Sequence, residues 1–373
     1  MIHATLVPDR LVLRQGDCLD ALRRWPDASV HAIVTDPPYG LNASEPDILK
    51  VLKKWLAGER YEHRAAGFMG KKWDSFVPDP EVWRECLRIL KPGGHLVASG
   101  SPRTCDLLML GLRIAGFEIR TTVAWTYGNG LSASHGLGQS VEKLITTGRT
   151  ARIGRPMGGK SRERFKSTGK GSWIADSGGG IPLTQPEAVK WNGWGTRMRP
   201  AFEPIVIARK PLELSTVPAN VLKYGTGAIN MDGCAVIVPG EPDRQPATLV
   251  HDGSNDITDL FPGGVARFFY VAKPRDEERA VSDHPTMKPV ALMQWLCRLV
   301  TPPNGIVVDP YAGSGTTGEA IVLEGFRGML IEREEEYCRH ILRRFAKPIV
   351  ATDSQAVPEL RDRERQPVQT SLF

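Results

Sequence analysis

Residues 31–40, which read HAIVTDPPYG, decide the fold of this 373-residue chain. The apolar first half of the segment predicts a short buried strand of a parallel sheet. Pro37 and Pro38 follow and stop the strand in a stiff turn. Because open α/β sheets bind their ligands at the carboxyl ends of the strands, Asp36 is expected at a ligand site.

The residues that follow this strand indicate what such a ligand would be. Asp36 is an acceptor-only carboxylate and Tyr39 offers a flat ring beside it. An acceptor next to a stacking ring suits a planar heterocycle that carries an amino group. Taken alone, the segment is also compatible with an Asp-Pro turn beside a half-buried tyrosine, because four-residue matches arise easily by chance.

A second informative segment, residues 305–318, reads GIVVDPYAGSGTTG. It predicts a strand, an acid, a glycine-rich turn and then a helix over residues 319–324. Gly313 and Gly315 would let a ligand approach the backbone closely. These features indicate a nucleotide-like cofactor, with an ordinary tight turn as the alternative.

The residues around this turn narrow the kind of cofactor. The next predicted strand, residues 328–331, ends in Glu332, whose carboxylate can accept hydrogen bonds from a ribose diol. A phosphate-binding P-loop is excluded because no lysine follows the glycines. The spacing of Gly313, Gly315 and Gly318 matches a dinucleotide fingerprint, but Asp-Pro-Tyr-Ala separates these glycines from the strand.

Outside these segments the chain alternates predicted strands and helices. Asp79 is the expected N-cap of a helix that begins at Pro80. Residues 202–208 predict a further strand, whereas residues 212–262 are polar and are expected to be irregular. The other predicted strands cover residues 11–14, 31–35, 95–99 and 117–125, and the predicted helices cover 19–25, 80–90 and 103–115.

Together the two segments resemble the amino-group DNA methyltransferases that use S-adenosylmethionine. In that family the first motif holds the target base and the second holds the methionine part of the cofactor. Residues 14–22, 90–96 and 284–290 resemble further stretches of the family in type and order. Because the base motif precedes the cofactor motif, the order resembles the circularly permuted group often called β.

The resemblance implies a Rossmann-like α/β fold, circularly permuted, with a mostly parallel sheet, helices on both faces and an inserted target-recognition region. It places the base-binding half at residues 1–147 and the cofactor-binding half at 271–350. Residues 148–270 form the recognition region, interrupted by a sheet strand near 201–209. The polar, aperiodic residues 351–373 are expected to be a disordered tail.

The resemblance also assigns site residues by their matching positions. The catalytic group comprises Asp36, Pro37, Pro38 and Tyr39. The methionine part of the cofactor would meet Asp309, Tyr311, Ala312, Gly313, Ser314, Gly315 and Thr316, with Thr286 and Lys288 near its carboxylate; Glu332 would take the ribose hydroxyls, and Asp17 and Cys18 would flank the adenine.

The function implied is site-specific transfer of a methyl group to the N6 amino group of a flipped adenine in DNA, as in restriction-modification. Cytosine-N4 methylation is the alternative, although that subgroup more often has Ser where this chain has Asp36. The motif order disfavours an RNA methyltransferase. A nicotinamide-dependent oxidoreductase would explain the glycines but not the segment at residues 36–39.

The charge of the chain is compatible with double-stranded DNA as a partner. Lys and Arg number 48 against 42 Asp and Glu, which gives a formal net charge of +6. Residues 143–170 are rich in basic side chains, and a solvated loop is the alternative reading of this run. The phosphate contacts expected from it are Arg152, Arg155, Lys160, Arg162, Arg164 and Lys166.

The remaining features concern compartment and partners. The six cysteines form no Cys-x-x-Cys pair, so we expect reduced thiols and no metal site. No apolar run approaches the roughly 20 residues that span a bilayer. Without a signal-peptide pattern, the chain is expected in the cytoplasm of a bacterial cell or a phage-infected host, without membrane contact.

The last five residues, QTSLF, resemble the peptide by which bacterial replication and repair proteins dock on the DNA sliding clamp. The informative positions are Gln369, Leu372 and Phe373. The alternative is a chance apolar terminus that packs on the enzyme's own surface.

Overall fold

The structure is a computed structural model, and it describes residues 2–41, 45–63, 67, 72–128, 136–149, 182–196, 198, 200–238, 240–272, 287–346 and 349. Its frame is one ten-stranded sheet. Within the described ranges, no helix combines the length and the apolar character needed to cross a membrane.

The sheet is mostly parallel, and its strand order is β1-β2-β10-β9-β3-β4-β6-β5-β7-β8. β1 is antiparallel to β2, and β6 is antiparallel to both β4 and β5. The strands are β1 (His3–Val7), β2 (Leu11–Gln15), β3 (Val30–Thr35), β4 (Leu90–Ser99), β5 (Glu118–Thr126), β6 (Phe202–Arg209), β7 (Leu249–His251), β8 (Tyr270–Val271), β9 (Ile306–Asp309) and β10 (Arg327–Glu332).

Helices cover both faces of the sheet and bury an apolar core on each. One core includes side chains of α1, α3 and α4, and the other includes side chains of α9, α10 and α11. The helices are α1 (Cys18–Arg23), α2 (Ile48–Leu56), α3 (Pro80–Ile89), α4 (Cys105–Ala115), α5 (Leu137–Thr147), α6 (Pro186–Lys190), α7 (Val217–Tyr224), α8 (Asn255–Thr258), α9 (Val290–Val300), α10 (Thr316–Leu323) and α11 (Glu335–Phe345).

This architecture confirms the predicted fold class and most of the predicted elements. β3, β5, β9, β10, α1, α3 and α4 begin and end within a few residues of the predicted bounds. Asp79 lies at the N-cap of α3, but its carboxylate accepts hydrogen bonds from Trp55 Nε1 at 2.6 Å and from the Tyr61 amide at 3.1 Å. The Asp79 side chain therefore connects α2 and the segment after it to the start of α3, and it does not cap α3.

The prediction that residues 212–262 are irregular is wrong. The segment contains α7, which Thr216 caps through its side chain and Gly225 ends in a left-handed conformation. It also contains β7, which pairs in parallel with β5 and buries Val250 completely. β7 has three residues and α7 only one buried residue, so neither shows an apolar periodicity strong enough to be predicted.

The position of the site follows from the order of the strands. β3 and β9 are neighbours, although most of the chain separates them. Because the two strands are parallel, their carboxyl ends lie at the same edge of the sheet. The segment at 36–40 and the glycine-rich turn after Asp309 are therefore brought together, as the motifs predicted.

Candidate active site

A cavity of about 610 Å³ lies at the carboxyl ends of the central strands, which is a size typical of small-molecule sites. Both predicted motifs line it. Of the predicted residues, its wall includes Asp17, Cys18, Asp36, Pro37, Pro38, Tyr39, Lys288, Asp309, Tyr311, Ala312, Gly313, Ser314, Thr316 and Glu332. We call the part around Asp36, Tyr39 and Lys288 the base side, together with Glu203, which contacts Tyr39 and Lys288. The part around Asp309, Tyr311, Gly313 and Glu332 is the cofactor side.

A buried hydrogen bond fixes the two motifs against each other. Thr35, the last residue of β3, donates its hydroxyl to Asp309 Oδ1 at 2.7 Å. The same oxygen accepts the Tyr311 amide at 3.0 Å, and the Thr317 hydroxyl also binds the carboxylate. Burial raises the pKa of Asp309 to about 6, against the opposing effect of these hydrogen bonds. Asp309 therefore orders the glycine-rich turn and faces the cavity with a carboxylate that protonates easily.

The second acid of the cofactor side is Glu332, at the end of β10. Its Oε2 accepts the Gly313 amide at 2.8 Å, and its Oε1 accepts the Glu334 amide at 2.7 Å. Burial raises the pKa of Glu332 to about 7, although both amides favour the charged form. Gly313 has a φ of +51°, so this close approach needs a backbone that side-chain-bearing residues rarely adopt.

The glycine-rich turn divides into residues that face the cavity and one that does not. Ser314 and Thr316 line the cavity and hydrogen-bond to each other at 2.9 Å. Gly315, with a φ of +81°, is the N-cap of α10, and a Cβ there would lie 3.0 Å from the side chain of Ile341 in α11. Gly315 therefore serves the packing of the turn and does not line the cavity, unlike its neighbours.

The predicted adenine end of the cavity is formed by α1 and the glycine-rich turn. Asp17 caps α1 by accepting the Leu19 amide at 2.9 Å. The Cys18 thiol is hydrogen-bonded to the Tyr311 hydroxyl, and burial raises the pKa of Cys18 to about 11. The thiol is therefore protonated at neutral pH and acts as a packing and hydrogen-bonding group.

On the base side, both oxygens of Asp36 are engaged. Oδ1 accepts the Tyr39 hydroxyl at 2.9 Å, and Oδ2 accepts Lys288 Nζ at 2.8 Å. Burial raises the pKa of the Asp36 carboxyl, and the charge of Lys288 opposes that shift. The predicted catalytic carboxylate thus lies in the cavity, held by a hydroxyl and an ammonium.

Lys288 lies on the base side, although the sequence assigned it to the carboxylate of the cofactor. Its side chain is only 4% exposed, and Nζ lies 2.8 Å from Asp36 and 3.0 Å from Glu203. Nζ also lies 5.1 Å from the centre of the Tyr39 ring. Burial lowers the pKa of Lys288, but the two carboxylates outweigh it and raise the pKa overall, so the side chain is an ammonium.

Glu203 is a site residue that the sequence analysis missed. It lies 2.8 Å from the Tyr39 hydroxyl, whose single proton can go to either Glu203 or Asp36, and it accepts the Tyr127 hydroxyl at 3.3 Å and the Lys288 ammonium. Glu203 lies near the start of β6, and the antiparallel direction of β6 brings that end to Tyr39 and Lys288, which line the cavity. The one signal in the sequence is an acid followed by Pro204 at the beginning of an apolar strand.

Asp74 is a second missed residue, and it holds the backbone of the base motif. Its buried carboxylate accepts three consecutive amides, from Tyr39 at 2.7 Å, Gly40 at 3.0 Å and Leu41 at 3.3 Å. The segment that carries it, a short 3₁₀ turn at Lys72–Asp74, gave no recognisable pattern. Asp74 therefore fixes where the Tyr39 ring stands, from a distance of 35 residues along the chain.

Several predictions fall outside the described residues. They are the cofactor contact Thr286, the phosphate contacts Arg152, Arg155, Lys160, Arg162, Arg164 and Lys166, the tail at 351–373 and the clamp-like residues Gln369, Leu372 and Phe373. All six cysteines are described, buried and free of disulfides. Among the described residues, no cluster of His, Cys, Asp and Glu is suited to a metal ion.

The arrangement therefore offers two adjoining kinds of chemistry in one cavity. The cofactor side presents buried carboxylates beside the glycine-rich turn, and carboxylate oxygens suit the hydroxyl and amino groups of a nucleoside-like molecule. The base side presents a fixed carboxylate beside an aromatic ring, which suits a planar amine. A group held on one side lies next to a group held on the other, as transfer between two bound molecules requires.

Comparison with known proteins agrees with this geometry. A model of the DNA methylase family matches residues 30–343, which is most of the chain. The chain is 24% identical over 320 residues to the Type II methyltransferase M.HindIII of Haemophilus influenzae, covering 81% of this chain and 84% of the relative. It is 22% identical over 337 residues to the DNA adenine methyltransferase YhdJ of Escherichia coli K12, covering 88% and 80% respectively.

Solved structures similar to this chain include proteins named as DNA methyltransferases. One of them, a PvuII DNA methyltransferase described as cytosine-N4-specific, shares 15% identity with a TM-score of 0.48. The match covers 92% of this chain and 89% of that protein.

Proposed function

This chain belongs to the family of DNA methylases that modify exocyclic amino groups with S-adenosylmethionine, and we propose that its target is the N6 amino group of adenine. The observation that carries the proposal is the carboxylate of Asp36, held in the cavity beside the Tyr39 ring. The DNA adenine methyltransferase YhdJ, 22% identical along most of the chain, supports the choice of adenine. Cytosine-N4 enzymes more often have Ser at this position, as the resemblance implies.

The problem that the base side addresses is the weak nucleophilicity of the adenine amino group, whose lone pair is delocalised into the ring. Asp36 and the carbonyl of Pro37 would each accept one amino hydrogen. Two acceptors placed in this way draw the nitrogen toward tetrahedral geometry and localise its lone pair. Asp36 acts by position and charge, because direct removal of a proton from a neutral amine is steeply uphill for a carboxylate.

Tyr39 would bind the base by stacking. A target base must leave the duplex to enter the cavity, which costs a few kcal/mol. Stacking of one base on an aromatic side chain contributes roughly 1–3 kcal/mol, which offsets much of that cost. The anchoring of the Tyr39, Gly40 and Leu41 amides on Asp74 keeps the ring in place before the base arrives.

The cofactor side fits S-adenosylmethionine in its donors, acceptors and size. Glu332 would accept the ribose hydroxyls, Asp309 and the turn at Tyr311–Ser314 would hold the methionine part, and Cys18 would flank the adenine. When bound, the cofactor supplies an electrophilic methyl group on a sulfonium sulfur. The residues of this chain orient the acceptor amine next to it and exclude water from the cavity.

The test of the proposed function is mass spectrometry of nucleosides. PCR-amplified bacterial DNA, which carries no modified bases, is incubated with the protein and S-adenosylmethionine and then digested. We expect N6-methyladenine. Methylation of cytosine N4 in its place would assign the alternative, and the absence of any methylated nucleoside from a folded, cofactor-binding sample would refute the function.

Site-specific recognition is the remaining part of the proposed function. We assign it to residues 148–270. The basic residues between Arg152 and Lys166, to which we assign the phosphate contacts, lie outside the described part of the chain. A role in restriction-modification is proposed from the similarity to M.HindIII, which is named a Type II methyltransferase.

The clamp-like terminus gives a second proposed partner. Docking of Gln369, Leu372 and Phe373 on a bacterial sliding clamp would raise the concentration of the enzyme on newly replicated DNA. A synthetic peptide of the last ten residues, titrated into purified clamp, should bind in the micromolar range, and the same peptide with Leu372 and Phe373 changed to Ala should not. Equal signals from both peptides, or no binding at hundreds of micromolar, would refute docking of this terminus on the clamp.

A further inference from the structure

Asp36 shares its two partners with a second carboxylate. Lys288 Nζ lies 2.8 Å from Asp36 and 3.0 Å from Glu203. The Tyr39 hydroxyl lies 2.9 Å from Asp36 and 2.8 Å from Glu203. One ammonium and one hydroxyl therefore lie between two acids that are far apart in the sequence.

This sharing matters because a paired Asp36 is a poor acceptor. A carboxylate whose charge is balanced by a buried ammonium accepts a further hydrogen bond from a neutral amine less strongly. If Asp36 were the only acid present, Lys288 would pair with it alone. Glu203 gives the ammonium and the hydroxyl a second acceptor at nearly the same distance.

We propose that Glu203 is a positioning residue for methyl transfer, which holds Lys288 and the Tyr39 hydroxyl so that Asp36 is available to the target amine. The inference rests on the proposed function, in which Asp36 contacts that amine. Glu203 itself needs no contact with the base. It acts by competing with Asp36 for two donors.

The surroundings of Glu203 suit a fixed competitor. It is the second residue of β6, where it is paired with Trp125 near the end of the antiparallel ladder with β5. The Tyr127 hydroxyl, 3.3 Å away, gives its other oxygen a partner. Pairing with β5 therefore restrains the backbone of Glu203, so the sheet sets the distance between the two carboxylates that compete for Lys288.

Glu203 also affects the titration of Asp36. The ionisable and charged groups that face Asp36 are Tyr39 on its own loop, Glu203 from β6, Lys288 from the segment before α9 and Asp309 from β9. After burial, which is the largest cause, the negative charge of Glu203 raises the pKa of Asp36 and Lys288 lowers it. Removing the charge of Glu203 should therefore lower the pKa of Asp36.

The test compares Glu203→Gln with Glu118→Gln in single-turnover methylation of PCR-amplified DNA. Glu118 is the matched control, because it lies on the neighbouring strand β5 and is also ion-paired, to Arg209 at 2.7 Å. We expect Glu203→Gln to slow methyl transfer roughly tenfold to a hundredfold, which is the loss seen when a group that orients a metal ligand is removed from a metalloenzyme. DNA and cofactor affinities should stay within about twofold, and the control should behave as the wild type.

The pH dependence separates a positioning role from a structural one. In Glu203→Gln the acid limb of the rate profile should move to lower pH, because Asp36 would then stay ionised at lower pH. Glu203→Asp keeps the charge, so its acid limb should stay at the wild-type pH although its shorter side chain slows the reaction. A folded Glu203→Gln with wild-type rate and acid limb would overturn the proposal.

Two further measurements cover a variant that does not fold and a failure of the proposed function itself. Folding of each variant is verified by binding of S-adenosylhomocysteine, and if Glu203→Gln does not fold, a wild-type rate in Glu203→Asp overturns the proposal. Asp36→Ala is measured in parallel. An active Asp36→Ala would refute the proposed function, whereas an inactive Asp36→Ala beside an unaffected Glu203→Gln would refute only the role of Glu203.

Discussion

The base side and the cofactor side of the cavity are built in opposite ways. On the cofactor side, backbone amides donate to the acids, from 2 residues away for Asp309 and 19 for Glu332, and the Thr35 hydroxyl adds a distant contact to Asp309. On the base side, side chains from distant elements hold the acid and the ring: Lys288, 252 residues away, contacts Asp36, and Glu203, 164 residues away, contacts Tyr39. One side is built mainly on backbone amides and the other on charged side chains.

Because of this difference, substitutions should affect the two sides in different ways. A backbone cradle is disturbed mainly by a change of backbone conformation, since its amides do not depend on side-chain identity. A cluster of buried charges is disturbed by any change in the number of charges, because each group is compensated by the others. The predictions that follow exploit this contrast.

The largest expected effect concerns the base side alone. Asp36→Ala should lower the rate of methyl transfer by roughly 10²–10³-fold or more, since the acceptor for the target amine is lost. Its affinity for S-adenosylhomocysteine should remain near the wild-type value, because Asp36 is not a cofactor contact. Calorimetry and a methyl-transfer assay on one sample check both, with the exposed Asp20→Ala of α1 as the control. Equal losses in both measurements would show that the two sides are not separable.

The converse variant is Gly313→Val on the cofactor side. A β-branched residue at a φ of +51° is strained by about 1–3 kcal/mol, which corresponds to roughly tenfold to a hundredfold weaker cofactor binding if the strain is relieved by moving the turn. Gly136→Val is the control, because Gly136 has a φ of −58° and no atom within 4 Å of its added Cβ. Unchanged cofactor affinity in a folded Gly313→Val would show that the glycine-rich turn has a structural role and does not bind the cofactor.

A third prediction uses the pKa of Glu332, which burial raises to about 7 from an ordinary value of 4.5. Ribose hydroxyls favour the ionised carboxylate, so cofactor binding should release a proton below pH 7. The affinity for S-adenosylhomocysteine should then rise about tenfold between pH 5.5 and pH 8.

Glu332→Gln provides the control for that measurement. It should flatten the pH dependence and leave only the part due to Asp309, whose pKa is about 6. The folded protein binds this proton more tightly than the unfolded chain, so the contribution of Glu332 to stability falls as the pH rises from 4.5 to 7. A wild-type pH dependence in Glu332→Gln would contradict the role of Glu332 at the ribose.

The smallest effect is expected from the basic segment, which belongs to neither side. Neutralising Arg162, Arg164 and Lys166 should weaken DNA binding a few-fold and reduce the slope of log affinity against log salt by about 2 to 3. Cofactor affinity should not change. A slope equal to that of the wild type would favour a solvated loop that does not touch phosphate.

The same contrast explains what the sequence could predict. The strand, acid and turn at residues 306–316 form one continuous segment, so their arrangement could be predicted from order and residue type. The link between Thr35 and Asp309 was not predicted, because it depends on the pairing of β3 with β9, which only the structure shows. The position of Lys288 beside Asp36 and the packing of Gly315 against Ile341 could not be predicted, because sequence order does not tell which of two neighbouring walls a residue faces.

The missed residues have a single physical cause. Glu203 reaches Tyr39 and Lys288 because β6 runs antiparallel to β4 and β5, and the composition of a strand does not specify its direction. Asp74 contacts Tyr39 from a short turn with no periodic pattern. In both cases the partner is fixed by tertiary folding, which local propensity does not specify.

The most direct measurement of the central claim is sequencing that reports modified bases, applied to DNA from cells that express either the wild-type chain or Asp36→Ala. The wild type should produce N6-methyladenine at one recurring sequence, and Asp36→Ala, expressed at the same level, should produce none. Methylated cytosine N4 at the recurring sequence, or adenine methylation that persists in Asp36→Ala, would contradict the division of the cavity into a cofactor side and a base side centred on Asp36.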